Sequence, residues 1–181
     1  MRERQINKLI LINKIMIQEM ITIFFARYLF IVPIALLVVL FLFSNKKDRK
    51  RLVFIFLIAS ALSLIFAFIA GQFYYNPRPF VVQEVEPLIP HVENNGFPSN
   101  HALLTATISA VIFVFSKKLG WISALFMILV SIGRIFALLH HVVDVFASIL
   151  ISVVAVYLTV KIVEKVDLPR RWSRPFHYSQ V

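Results

Sequence analysis

Five apolar runs, each bounded by polar or charged residues, dominate this 181-residue chain. They occupy residues 21–43, 52–75, 101–115, 119–138 and 142–163. Crossing the hydrocarbon of a bilayer takes about 20 apolar residues, so 101–115 must borrow flanking positions while the other four suffice. Lipid offers backbone amides no hydrogen-bond partner, which makes each run a helix. Pro33 is expected to kink the first. Composition agrees: 60% of residues are hydrophobic and 15% charged, where soluble domains carry about 25% charged. The expectation is an all-α polytopic membrane bundle with five transmembrane helices. The chain has no cysteine, which excludes disulfides and thiolate metal sites.

The net charge is +10 and it is clustered. Lys46, Lys47, Arg49, Lys50 and Arg51 precede the second run, and Lys117 and Lys118 precede the fourth. Lys161, Lys165, Arg170, Arg171 and Arg174 end the chain. The positive-inside rule assigns these regions to the cytoplasm. Alternation then brings the 76–100 loop and the 134–141 junction together on the opposite side. No basic stripe lies on a soluble fold, so a nucleic-acid partner is not expected. Residues 1–20 mix Ile and Leu with Arg2, Arg4, Lys8, Lys14 and Glu19 and read as an amphipathic interfacial helix, a sixth crossing being the alternative. The expected organisation is this helix, a membrane domain over 21–165, and a cytoplasmic basic tail over 166–181. The first long run starts late for a signal peptide and no cleavage site follows, so its retention is expected.

Among nine acidic residues, Asp144 alone lies inside an apolar run. An ionisable group there is costly and suggests function. His140 stands four residues earlier, on the same helix face. A carboxylate so placed can accept the Nδ1 proton and leave Nε2 free to attack; a pair that only packs helices is the plainer alternative. Arg134, at the same membrane edge, is either a bidentate phosphate ligand or a snorkelling interfacial arginine. Arg78 sits between Pro77 and Pro79, whose rings restrict its backbone, and otherwise reads as an exposed turn residue. Pro98, Ser99, Asn100 and His101 open the third run. Ser99 or Asn100 could cap that helix, whose first N–H groups favour an anion, and His101 could act as a general acid. No carboxylate cluster suggests a metal, so cofactor-free chemistry is expected.

Together these residues resemble the type 2 phosphatidic-acid-phosphatase superfamily. Its motifs are Lys, six residues, Arg-Pro; Pro-Ser-Gly-His; and Ser-Arg, five residues, His, three residues, Asp. Arg78-Pro79, Pro98-Ser99-Asn100-His101 and Arg134, His140 and Asp144 match them in order. The resemblance implies that His140 attacks phosphorus, Asp144 orients it and His101 protonates the leaving group. It implies that Arg78, Ser99 and Arg134 hold phosphate oxygens; Asn100, standing where the family has Gly, either adds a side-chain donor for phosphate or crowds it. Three positions depart from the pattern: Gly71 for Lys, Gly133 for Ser and Asn100 for Gly.

Residues 74–80, 88–91 and 96–101 resemble more narrowly the bacitracin-resistance type of undecaprenyl-diphosphate phosphatase. That resemblance implies hydrolysis of a polyprenyl diphosphate at the extracytoplasmic membrane face. The rivals are phosphatidic acid or phosphatidylglycerophosphate as substrate, a catalytically silent lipid-binding relative, and a small transporter. Arg27 reads as an interfacial anchor, Glu84, Glu86 and Glu93 as solvated, His91 as a loop surface residue and His177 as part of the tail.

Overall fold

A computed structural model describes residues 2–165. Within them lie seven helices: α1 (Arg2–Arg27), α2 (Ile31–Phe43), α3 (Lys46–Phe73), the single turn α4 (Pro79–Val82), α5 (Asn100–Phe115), α6 (Lys117–Phe136) and α7 (Val142–Lys165). The all-α expectation holds. Four helices, α1, α3, α6 and α7, are long and apolar enough to cross a membrane, and the chain is an integral membrane protein. At 13 and 16 residues, α2 and α5 rise only about 20 and 24 Å. The tail from 166 onward, with Arg170, Arg171, Arg174 and His177, lies outside the described residues.

The N-terminal third differs from the sequence reading in two ways. Residues 1–20 are not a separate element, because α1 runs unbroken past position 20 to Arg27. Apolar side chains are exposed at consecutive positions, Leu9 to Ile12 and Ile15 to Ile17, so apolar surface wraps round the helix instead of forming one stripe. Second, the run 21–43 is not one kinked helix. It divides at Tyr28–Phe30 into the end of α1 and the whole of α2. Pro33 explains the break, since it has no N–H for the Leu29 carbonyl and its ring collides with that carbonyl in a continuing helix. Proline is tolerated in a first helical turn, and there α2 places it.

Elsewhere the helix ends follow local chemistry. Asn45 caps α3 by accepting the N–H groups of Lys47 and Asp48 at 3.0 and 2.9 Å. Ser116 alone joins α5 to α6, in extended conformation. Beside it a Cβ on Gly120 would fall 2.5 Å from the Phe113 ring, so the hairpin requires glycine.

α5 forms the centre and packs against α2, α3, α6 and α7. Its Ile108, Val111 and Ile112 meet Leu37, Leu52, Ile55, Ala59 and Val156 in the main apolar core. Small polar side chains supplement these contacts. Thr107 Oγ1 lies 3.0 Å from both Ser63 Oγ on α3 and Ser152 Oγ on α7. Ser109 and Ser123 approach to 2.7 Å between α5 and α6. In lipid, where apolar burial between helices gains little, such small residues and hydrogen bonds hold a bundle together. A second apolar cluster of Ala26, Phe80, Ile89, Ala137 and Leu139 packs under the 76–100 loop.

Candidate active site

The loop between α3 and α5 is clipped by one side chain. Asn95 Oδ1 accepts the N–H groups of Asn76 and Phe97, each at 3.0 Å. Its Nδ2 donates to the carbonyls of Gly71 and Tyr74 at 3.2 and 3.1 Å. The Gly96 N–H donates to the Asn76 carbonyl at 2.8 Å. A Cβ on Gly96 would lie 3.1 Å from that carbonyl oxygen and 3.4 Å from Asp144 Oδ2, so the backbone approaches the site only because no side chain intervenes.

Arg78 precedes α4 in extended conformation with Pro79 opening the turn, as the flanking prolines suggest. The Phe80 N–H donates to the Leu138 carbonyl at 3.1 Å and docks α4 on the α6–α7 junction. Arg78 is buried, with Nη1 donating to the Leu139 carbonyl at 2.8 Å and Nε to Asn94 Oδ1 at 3.0 Å. On the other side, α6 carries Arg134 in its last turn. Leu138 then takes φ 58°, a left-handed conformation that costs a non-glycine residue about 1–2 kcal/mol. This sharp reversal brings His140 back over Arg134.

His140 Nε2 lies 3.3 Å from Arg134 Nη2 and 3.4 Å from Arg78 Nη1. Its Nδ1 lies 2.8 Å from the Gly96 carbonyl. A carbonyl only accepts, so Nδ1 carries the hydrogen and Nε2 the lone pair. Asp144 Oδ2 stands 3.8 Å from Nδ1, close enough for charge pairing. This corrects the expectation that Asp144 itself takes the proton. Its oxygens are otherwise engaged: Oδ1 accepts Asn76 Nδ2 at 2.7 Å and Oδ2 the His141 N–H at 2.8 Å. Burial, reinforced by the charges of Arg134 and Arg78, lowers the His140 pKa below its ordinary value, against the opposing pull of Asp144 and Gly96. A neutral imidazole with an available Nε2 is the result.

The remaining motif residues surround this core. Ser99 is the N-cap of α5 without capping it. Its N–H donates to the Asp144 carbonyl at 3.3 Å, and its Oγ, like Arg134 Nε, is buried without a partner among the described residues. Two unpaired polar groups in one buried site mark a place prepared for a polar ligand. His101 is half-buried, its ring edge-on to Phe30 at 5.5 Å. Asn100 instead lines a cavity of about 350 Å³ beside the core, with Gly71, Gln72, Arg78 and Asn94. His141 Nε2 donates to the Pro77 carbonyl at 3.1 Å and serves the loop. Among the described residues no group of three or more His, Asp or Glu converges.

Residues 52–167 match the model of the PAP2 superfamily. This chain belongs to the PAP2 superfamily. It is similar to the undecaprenyl-diphosphatase BcrC of Bacillus subtilis (strain 168), 29% identical over 140 residues, 77% of this chain and 72% of the relative. It is also similar to the bacitracin transport permease protein BcrC of Bacillus licheniformis, 34% identical over 133 residues, 73% of this chain and 65% of the relative. Among solved structures, Aquifex aeolicus LpxE superposes with a TM-score of 0.65 at 27% identity, covering 78% of this chain and 86% of that one.

Two of the three departures from the PAP2 pattern have a visible cause or consequence. A Cβ on Gly133 would fall 2.7 Å from the Ala26 backbone nitrogen and 2.8 Å from Phe25 Cβ, so α1 demands glycine where the family has Ser. A Cβ on Gly71 would meet the Phe97 carbonyl oxygen at 3.4 Å, an ordinary contact, so glycine there leaves space rather than avoiding a clash. PAP2 motif reading missed two contributors. Asn76 was visible beside Arg78 but had no assigned role. The Gly96 carbonyl is a backbone atom and carries no side-chain signal. His91 is exposed, as expected of a loop surface residue.

Proposed function

We propose that this protein is a lipid phosphatase that hydrolyses a polyprenyl diphosphate at the extracytoplasmic face of the membrane, with His140 as nucleophile. The observation that carries this reading is the His140 geometry: Nδ1 pinned to the Gly96 carbonyl at 2.8 Å, Nε2 between two buried arginines. The Nε2 lone pair attacks the terminal phosphorus, and the bond to the bridging oxygen breaks. His101 gives its proton to the departing lipid monophosphate. Arg78, Arg134 and Ser99 hold the phosphate oxygens as charge redistributes. The imidazolium of the phosphohistidine keeps its Nδ1 hydrogen on Gly96 and is stabilised by Asp144. Water, deprotonated by His101, then cleaves the N–P bond and releases phosphate. Similarity to relatives named undecaprenyl-diphosphatase supports the substrate class.

The test is phosphate release from polyprenyl diphosphate by detergent-purified protein with EDTA present. Wild type should turn over, and His140→Ala should lose about 10³-fold or more in rate. Release by neither protein would favour a silent lipid-binding relative. Much faster turnover of phosphatidylglycerophosphate would redirect the substrate assignment, and loss of activity to EDTA would refute the metal-independent mechanism.

A further inference from the structure

The position where the PAP2 pattern has lysine is empty here, and the space it leaves is shaped. The outer end of α3 presents Leu64, Ala67, Phe68, Gly71 and Gln72 to a cavity of about 350 Å³, closed opposite by Asn94, Asn95, Phe97, Pro98 and Asn100. Its lower wall is apolar, and Leu64 and Phe68 are 61% and 70% exposed there, open to lipid. Its upper wall is made of amides. Arg78 forms the partition with the core site: Nη1 faces His140 at 3.4 Å, while Nε holds Asn94, a cavity residue, at 3.0 Å. Among the described residues no protein acceptor takes Arg78 Nη2. Asn95 is spent on the loop, which leaves Gln72, Asn94 Nδ2 and Asn100 as donors facing the void.

We propose that this cavity is a second phosphate subsite, seating the lipid-proximal phosphate of a diphosphate while His140 engages the terminal one. This rests on the reading of the core site as a phosphatase centre. Arg78 would then contact both phosphates through different edges of one guanidinium. The amides hydrogen-bond the oxygens of the departing monophosphate, and the chain leaves along Leu64 and Phe68 into the bilayer. A side chain reaching beyond Cβ at position 71 would occupy this volume, so Gly71 is a specificity determinant, selecting diphosphate over monophosphate esters.

The test is binding to full-length protein in detergent, using a non-hydrolysable polyprenyl methylenediphosphonate and the matching monophosphonate. Wild type should favour the diphosphonate by about tenfold or more, as one additional charge-assisted contact provides. Gly71→Leu, which fills the cavity from a tolerant helical position, should reduce that ratio to about one, whereas Gly71→Ala, adding only a Cβ, should keep most of it. Asn100→Ala, at an exposed position, should lower the ratio by about threefold or more. Equal affinity of wild type for the two ligands would overturn the proposal, as would an unchanged ratio in both Gly71→Leu and Asn100→Ala. A wild type that prefers the diphosphonate yet releases no phosphate from the diphosphate would sustain the subsite and sink the hydrolytic reading instead.

Discussion

His140 and Asp144 lie four positions apart, and that spacing alone would make them partners. In the folded chain the partnership is indirect, because the Gly96 carbonyl accepts the Nδ1 hydrogen and Asp144 acts over 3.8 Å as a charge. Asp144→Asn should therefore spare the tautomer, remove the stabilisation of the imidazolium and cost one of the two hydrogen bonds from Asn76 and His141. The expected result is a fall in kcat of about 10²-fold with KM little changed, read by steady-state kinetics. An effect as large as that of His140→Ala would restore Asp144 as the proton acceptor. Protonated imidazole has no lone pair at Nε2, so activity fails when pH drops through the His140 pKa. Burial and the two arginines lower that pKa from 6.5, so the acid limb of kcat/KM should lie below this value; a limb at or above it would contradict the electrostatics. Arg78, Arg134 and Asp144 were legible in the sequence as ionisable residues in apolar or proline-bound settings. Gly96 was not, because its contribution is a carbonyl that every residue possesses.

At the scale of elements, hydropathy located the bundle but not its joints. Tyr28, Leu29 and Phe30 continue the apolar run, in which Arg27 at the end of α1 is the one charged residue, so composition marks the joint only faintly. The usable signal was Pro33, which cannot donate to the Leu29 carbonyl four residues earlier, and reading it as a kink rather than a new start misplaced the boundary. The Gly133 departure was likewise visible without its cause, since only the docked α1 shows which backbone passes there. Gly133→Ala should force α1 away from α6 and destabilise the bundle by about 1–3 kcal/mol. A thermal unfolding series in detergent would measure it, and an unchanged midpoint would mean that α1 is not docked in solution. Because Arg134 is the next residue, the same variant should also lose activity.

For the whole molecule, the continuity of α1 bears on topology. If α1 crosses, Arg2, Arg4 and Lys8 join the other basic clusters on the cytoplasmic side, and the positive-inside rule is satisfied without exception at the N-terminus. The absence of native cysteine makes this directly measurable. Arg4→Cys and Glu164→Cys should be labelled from one side of sealed vesicles and Val92→Cys from the other. Labelling of Arg4→Cys and Val92→Cys from the same side would instead put α1 at the interface. The ties that bind the 76–100 loop to the α6–α7 junction end repeatedly on main-chain atoms: the carbonyls of Leu138, Leu139, Pro77 and Gly96. Main-chain atoms survive substitution. A site anchored in this way tolerates replacement of the side chains at its anchor points, because the atoms that fix its geometry are not the ones a substitution removes.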